Sequence, residues 1–158
     1  MNYDNFEDCS VRSNNPIVTV SECACSFEIK NPDKIIINKV KIDGCVIRDE
    51  RERCDYLFEI GSPTHCVIYL ELKGCHVEKA FSQLVSTLGY FKHQHSSLNR
   101  FCHIVASRVP RATTGTQAMK VKMAQKHKAI LFIGTTKTSI ILSALPYQNL
   151  QSAEGAIE

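Results

Sequence analysis

The sequence predicts one α/β domain built on a mixed β-sheet with flanking helices. The chain has 158 residues, of which 44% are hydrophobic, so it can bury one core and is too short for two large ones. Residues 54–74 have the composition of a β-hairpin, and residues 77–88 have the periodicity of a helix followed by a further strand. A helix between two strands indicates a crossover, so at least one pair of strands is expected to be parallel.

The two ends of the chain are expected to lie outside this domain. Residues 1–15 are polar and predict a loose lead-in, residues 16–146 are expected to form the domain, and residues 147–158 predict a polar, frayed tail. The segment Pro16 to Ile29 mixes apolar and small residues, and the pattern leaves helix and strand open.

A strand and a charged turn are predicted before the hairpin. Ile35 to Ile37 and Val40 to Ile47, interrupted at Asp43-Gly44, favour a strand or a bent hairpin arm. Residues 48–53 mix acidic and basic side chains, which is typical of a solvated turn.

The hairpin has a register that follows from its turn. Aromatic and aliphatic residues flank a turn that contains Pro63. A turn centred on Pro63 places Asp55 opposite Glu71 and Leu57 opposite Tyr69. Because side chains alternate along a strand, Glu71 shares its face with the residue two positions further on.

The opposed carboxylates predict a metal site. Directly opposite like charges destabilise a sheet, and a divalent cation between them removes that cost. Mg²⁺ is typically held by one or two carboxylates with waters and substrate phosphates. We therefore expect Asp55 and Glu71 to bind Mg²⁺ or Mn²⁺, with Lys73 orienting or deprotonating a water or neutralising phosphate charge. The alternative is an ordinary solvated face, which the apolar run Val67 to Leu72 argues against.

An Asp at the start of one strand, Glu-x-Lys at the end of the next, and then a helix resemble the PD-(D/E)XK, or restriction-endonuclease-like, nuclease superfamily. The resemblance covers residues 35–110 and implies a strand–strand–strand–helix–strand core that carries Asp55 and Glu71-Leu72-Lys73. It also implies that the Leu72 carbonyl is a third metal ligand. Cys54 stands where the motif has Pro.

The resemblance implies further site residues. Gln83, on the helix after the motif, is implied to lean toward the metal, although a solvent-facing Gln is the alternative. Thr87 stands where one branch of the superfamily has a Tyr. The superfamily sometimes takes another acidic ligand from its first helix, and the candidates for it are Glu22, Glu28 and Asp43.

The second half of the chain predicts two helices and three strands. The first helix presents one apolar face, and a strand is predicted at Arg100 to Pro110. A second helix is predicted from Thr113 to His127, and residues 129–133 and 139–145 predict two strands joined as a hairpin. The apolar face of the first helix consists of Val77, Ala80, Phe81, Leu84, Val85 and Leu88.

The strongest basic cluster follows the strand at residues 100–110. Lysine and arginine contacts to phosphate supply affinity that does not depend on sequence. The cluster is therefore our candidate for binding the nucleic-acid backbone, and a solvated lysine face is the alternative. Its members are Arg108, Arg111, Lys120, Lys122 and Lys126.

The eight cysteines are scattered through apolar runs and predict buried thiols in a reducing compartment. No secretory signal and no apolar stretch of membrane-spanning length is present in the sequence, so a cytoplasmic location without membrane contact is expected. A structural zinc site is the alternative use of Cys23, Cys25, His93 and His95. Their spacing by one residue is tighter than zinc sites usually have.

These features predict an enzyme, a Mg²⁺- or Mn²⁺-dependent nuclease that hydrolyses nucleic acid, with DNA favoured over RNA. Small nucleases of this type often form homodimers, so a homodimer is an expected form. The alternative is a catalytically inactive module of the same fold that binds nucleic acid or a protein.

Overall fold

A computed structural model describes residues 4–73, 76–108 and 114–144 of the chain. Within these ranges the protein is a mixed α/β structure with a six-stranded and a three-stranded β-sheet. Its helices and strands are α1 (Asp4–Asp8), β1 (Ser10–Ser13), β2 (Ile17–Glu22), β3 (Cys25–Lys30), β4 (Ile37–Lys41), β5 (Tyr56–Ile60), β6 (Cys66–Lys73), α2 (Val77–Tyr90), α3 (Lys92–His95), β7 (Asn99–Ala106), α4 (Thr114–His127), β8 (Ile130–Thr135) and β9 (Lys137–Ile141), followed by a 3-10 turn at Leu142–Ala144.

The six-stranded sheet confirms the predicted mixed topology. Its strands lie in the order β1-β4-β5-β6-β7-β8. The first four strands are antiparallel neighbours, whereas β6, β7 and β8 run parallel. Parallel neighbours need crossover connections, and the segments that contain α2 and α4 make them.

Both long helices pack on the same face of this sheet. α2 has the predicted apolar stripe, and its buried members join Tyr69 of β6 and Ile104 of β7 in one core cluster. Met123 of α4 lies in the same cluster. The side chains that α2 contributes to this core are Val77, Ala80, Phe81, Leu84 and Leu88.

The three-stranded sheet covers the other face. β2 and β3 form a hairpin whose turn residues Cys23 and Ala24 have φ of 52° and 62°. The segment from Pro16 to Ile29, which the pattern left open, is therefore strand. Phe27 and Ile29 of this sheet share a core cluster with the β6 side chains that point away from α2.

The predicted hairpin at residues 129–145 is wrong, although both of its strands exist. β8 pairs with β7, whereas β9 pairs in parallel with β3 in the other sheet. The chain changes sheets at Thr136, whose N–H donates to the Ala106 carbonyl and whose carbonyl accepts from the Ser26 N–H. A turn signal in the sequence reports a local reversal only, and here long-range pairing decides where each strand goes.

The N-terminal segment also differs from the prediction. Residues 4–13, expected to be part of a loose lead-in, form α1 and β1, and β1 pairs with β4 at the edge of the main sheet. Residues 147–158 lie outside the described part of the chain. Within the described ranges, no helix has the length and apolar character needed to cross a membrane.

The cysteines divide into two groups. Cys25, Cys54, Cys66 and Cys102 are buried thiols, as predicted, and Cys23 is an exposed thiol. Cys75 lies outside the described residues. The prediction is wrong for the remaining pair, which forms the disulfide Cys9–Cys45. Spacing in the sequence gave no sign of this pair, because β1 and β4 bring the two residues together only when they join the sheet.

We expect the disulfide to stabilise the fold by restricting the unfolded chain. Closing a loop of this size, with a sequence separation of 36 residues, corresponds to about 3 kcal/mol. Cys45→Ser should therefore lower the free energy of unfolding by about that amount, measured by urea denaturation. Cys23→Ser, at an exposed free thiol, is the control and should change little. Equal stability of both variants would contradict the expectation.

Candidate active site

The hairpin of β5 and β6 has the predicted register. Leu57 lies opposite Tyr69, and Tyr56 lies opposite Leu70. The next position along the ladder places Asp55 opposite Glu71. The two carboxylates that the sequence singles out are therefore brought together by paired strands.

Asp55 is held in place from both sides. Its N–H donates to the Leu70 carbonyl at 3.1 Å, and its carbonyl accepts from the Ile42 N–H at 2.9 Å. Its side-chain Oδ2 accepts a 2.8 Å hydrogen bond from the Leu72 N–H. The carboxylate thus replaces a backbone acceptor at the end of the β5–β6 ladder, and its position is fixed by the sheet.

Glu71 is a carboxylate inside the fold. It is 1% exposed, and alternation along β6 puts it on the same face as Tyr69, which is the face covered by α2. Removing a carboxylate from water is costly, so buried carboxylates are paired, hydrogen-bonded or bound to metal. The apolar run that ends in Glu71 is therefore a buried strand, as the sequence analysis expected.

Cys54 lies close enough to both carboxylates to feel their charge. Burial raises the pKa of the Cys54 thiol well above its usual value, and the negative charges of Glu71 and Asp55 raise it further. A thiol that is 0% exposed and has a raised pKa stays protonated and is a poor ligand for a hard cation. Cys54 therefore serves the site as an apolar wall.

Thr87 links α2 to the segment that carries Asp55. Its buried hydroxyl accepts a 2.8 Å hydrogen bond from the Cys54 N–H and donates a 2.8 Å hydrogen bond to the Gln83 carbonyl. The sequence analysis treated Thr87 only as a departure from a motif. Its place on the apolar stripe, three residues after Leu84, is the signal that marks it as a buried polar contact.

The Leu72 carbonyl lies where the ladder between β5 and β6 ends. Opposite residues of an antiparallel pair normally exchange their N–H and C=O bonds, and the register would pair Leu72 with Cys54. The Cys54 N–H instead donates to Thr87, and the Leu72 N–H donates to Asp55. The Leu72 carbonyl therefore points toward the Asp55 side without the strand donor that the register would supply.

Two further expected site residues are placed less directly. Lys73 is the last residue of β6, and its backbone pairs with Ala106; its side chain lies outside the described part. Gln83 is half-buried on α2, and its Oε1 makes no hydrogen bond to any residue in the described ranges. Its backbone carbonyl is connected to the site through Thr87.

The three weaker acidic candidates do not join the pair. Glu22 and Glu28 belong to the three-stranded sheet, on the face opposite to α2, and Glu28 accepts a hydrogen bond from Ser139. Asp43 forms a 2.8 Å ion pair with Arg53. In the part of the chain that is described, no group of three or more His, Cys, Asp and Glu side chains is arranged to hold a metal ion.

The residues of the zinc alternative are separated in the fold. Cys25 is buried in the core between the sheets, whereas Cys23 is exposed in the β2–β3 turn. His95 is buried and lies 2.5 Å from the Tyr69 hydroxyl through Nδ1 and 3.6 Å from Glu59 through Nε2. This polar network fastens α3 to the hairpin, which explains why a His is found there.

The basic cluster is exposed where it is described. Arg108 follows the end of β7, and Lys120, Lys122 and Lys126 are exposed on α4. The Lys122 Nζ lies 5.9 Å from the centre of the Phe81 ring of α2. Arg111 lies outside the described residues.

The distribution of charge along the chain is a signal that totals conceal. Residues 79–153 contain ten Lys and Arg and no Asp or Glu, whereas residues 1–78 contain nine Lys and Arg and fourteen Asp and Glu. The net charge of only +3 is the sum of these unlike halves. The basic half comprises nearly all of α2 together with β7, α4 and β8, on one side of the carboxylate pair.

Comparison with known proteins identifies no relative. No family model, curated protein or solved structure matches the chain.

Removing the Thr87 hydroxyl should destabilise the fold. Thr87→Val keeps the shape but leaves the buried Cys54 N–H without an acceptor, which costs about 1–3 kcal/mol. Thr87→Ser keeps the hydroxyl and is the matched control. Urea denaturation of the two variants should show the larger loss for Val, and a larger loss for Ser would contradict the role of the hydroxyl.

Proposed function

We propose that the protein is a metal-dependent nuclease that hydrolyses phosphodiester bonds of nucleic acid, with DNA favoured over RNA. The observation that carries the proposal is the position of Asp55 opposite Glu71 at the end of paired strands. A core with the strand and helix order β4-β5-β6-α2-β7 supports the restriction-endonuclease-like assignment. On that assignment the site has the Asp and Glu-x-Lys of the superfamily.

The donors at this site fit a hard divalent cation. Asp55, Glu71 and the Leu72 carbonyl would hold Mg²⁺ or Mn²⁺ through oxygen atoms, and substrate phosphate and water would complete the coordination. When bound, the cation supplies positive charge to the phosphate and lowers the pKa of water. The scarcity of other ligands in the described residues is consistent with Mg²⁺, which keeps several waters.

The reaction is hydrolysis of a phosphodiester. The oxygen of a water forms a bond to phosphorus, the bond between phosphorus and one sugar oxygen breaks, and that oxygen takes up a proton. We assign Lys73 to assist the water or to neutralise charge on the phosphate in the transition state. Gln83, on the adjoining helix, is assigned to orient the site.

The exposed basic residues supply the affinity for the substrate. Lys120, Lys122 and Lys126 lie on α4, and α4 packs on the same face of the sheet as Glu71 does. Arg108 lies at the end of β7, beside the end of β6. Phosphate contacts from these side chains would place a backbone across the carboxylate pair.

A non-catalytic module that binds nucleic acid is the second candidate. The observation that favours it is the complete lack of acidic residues in residues 79–153, which suits binding and needs no metal. Metal binding and cleavage separate the two candidates.

Loss of either carboxylate should abolish metal binding. We expect Asp55→Asn and Glu71→Gln to remove Mn²⁺ binding measured by isothermal titration calorimetry and to reduce cleavage of DNA by at least about a hundredfold. Glu78→Gln, at an exposed acidic residue in the first turn of α2, is the control and should bind Mn²⁺ like the unchanged protein. Lys73→Ala should reduce cleavage while Mn²⁺ still binds.

Two results would contradict this proposal. Cleavage that survives Asp55→Asn, Glu71→Gln and Lys73→Ala would indicate another site or a contaminant. Retention of DNA binding with neither Mn²⁺ binding nor cleavage in the unchanged protein would favour the non-catalytic module.

The α4 lysines should contribute to binding through phosphate charge. Replacing Lys120 and Lys126 together with Ala should weaken DNA binding and reduce the slope of log K against log salt by about 1 to 2. Lys30→Ala with Lys34→Ala, at exposed residues outside the α2–α4 face, is the matched control. An equal change of slope in both double variants, measured by fluorescence anisotropy, would show that α4 is not the binding surface.

A further inference from the structure

Charge changes sign along one edge of the main sheet. β6, β7 and β8 are parallel, so they end at the same edge, and the antiparallel β5 begins there at Asp55. The antiparallel β4 ends at this edge, and β1 begins there after α1. The carboxylate pair therefore lies in the middle of a row of chain segments at this edge.

The flank on the β4 side is acidic. Residues 7, 8 and 43–53 contain six Asp and Glu and three Arg. Glu7, Asp8 and Glu50 are exposed. The segment 43–53 is directly adjacent to the site, because the Ile42 and Asp43 N–H groups both donate to the Asp55 carbonyl.

The three arginines of this flank are engaged within it. Arg51 forms a 2.7 Å ion pair with Asp49, and Arg53 forms one with Asp43. Arg53 also donates to the carbonyls of residues 49 and 51, and the Arg48 Nε donates to the Cys45 carbonyl. Because their donors are used locally, this flank offers phosphate more repulsion than attraction.

The flank on the β7 side is basic and continues along α4. Arg108 lies at the edge itself, and α4 leads from this edge to the start of β8 at the opposite one. The 14 residues of α4 span about 21 Å, which corresponds to roughly six nucleotide spacings of a strand. A backbone could therefore follow Arg108 and the α4 lysines away from the carboxylates in one direction only.

We propose that the site recognises a free end of a nucleic-acid strand, which runs along the basic flank and terminates at the carboxylate pair. This inference rests on the proposed nuclease function and specifies its substrate class. An unbroken strand would have to leave the site on both sides, and its phosphates would then face Glu50 and the other acidic side chains of residues 43–53. A strand that ends at the site avoids that repulsion.

The test compares two forms of one DNA. A labelled oligonucleotide and the covalently closed circle made by ligating it are given to the full chain. Binding is measured by anisotropy in Ca²⁺, and cleavage is measured separately in Mg²⁺ and in Mn²⁺. We expect the linear form to bind more tightly, by on the order of tenfold, and to be cut faster from its end.

Each outcome bears on a different claim. Equal binding of linear and circular DNA, or cleavage of the circle at the rate of the linear form, would overturn end recognition while leaving the nuclease proposal intact. Tighter binding of the linear form without cleavage would support end recognition and overturn the nuclease proposal. Binding of neither form would overturn both.

A charge reversal tests the cause. Glu50→Lys removes repulsion on the acidic flank and should narrow the difference in affinity between the linear form and the circle. Asp33→Lys makes the same change of charge at an exposed residue before β4, near the opposite edge of the sheet, and should leave the difference unchanged. An unchanged difference for Glu50→Lys would mean that this flank does not exclude the strand.

Discussion

The hydrogen bond from the Leu72 N–H to the Asp55 carboxylate is the constraint on which the candidate site depends. It converts the end of a β-ladder into a fixed position for a charged group, because backbone bonds to Leu70 and Ile42 hold the same residue from both sides. It also takes the Leu72 N–H out of the ladder and so leaves the carbonyl of that residue facing the carboxylates. One side-chain contact thus arranges three oxygen donors without a loop.

The helix α2 is fastened to this ladder end through Thr87. A buried hydroxyl that bridges the Cys54 N–H and the Gln83 carbonyl couples the position of the helix to the strand entry that precedes Asp55. Buried polar groups need such partners, so the contact sets the height of α2 over the sheet. The disulfide Cys9–Cys45 acts on the far side of the same segment, by joining the start of β1 to the turn after β4.

The electrostatic arrangement follows from the topology. The acidic first half of the chain supplies α1, β1, β4 and the turn before β5, and the basic second half supplies β7, α4 and β8. Because β5 and β6 lie at the centre of the sheet, the boundary between the halves falls at Asp55 and Glu71. A modest net charge therefore conceals a field with a direction, which is the property that would orient a polyanion.

The sequence by itself determined the features that depend on local pattern. A turn around Pro63 and alternating apolar strands fix the pairing of Leu57 with Tyr69, and the apolar period fixes the face of α2. Only the tertiary structure decided that β8 and β9 separate into two sheets, that residues 4–13 join the fold, that Cys9 bonds to Cys45 and that Thr87 accepts from Cys54. Each of these contacts joins residues distant in the sequence, and their free energy comes from burial and hydrogen bonds that exist only once the sheets have formed.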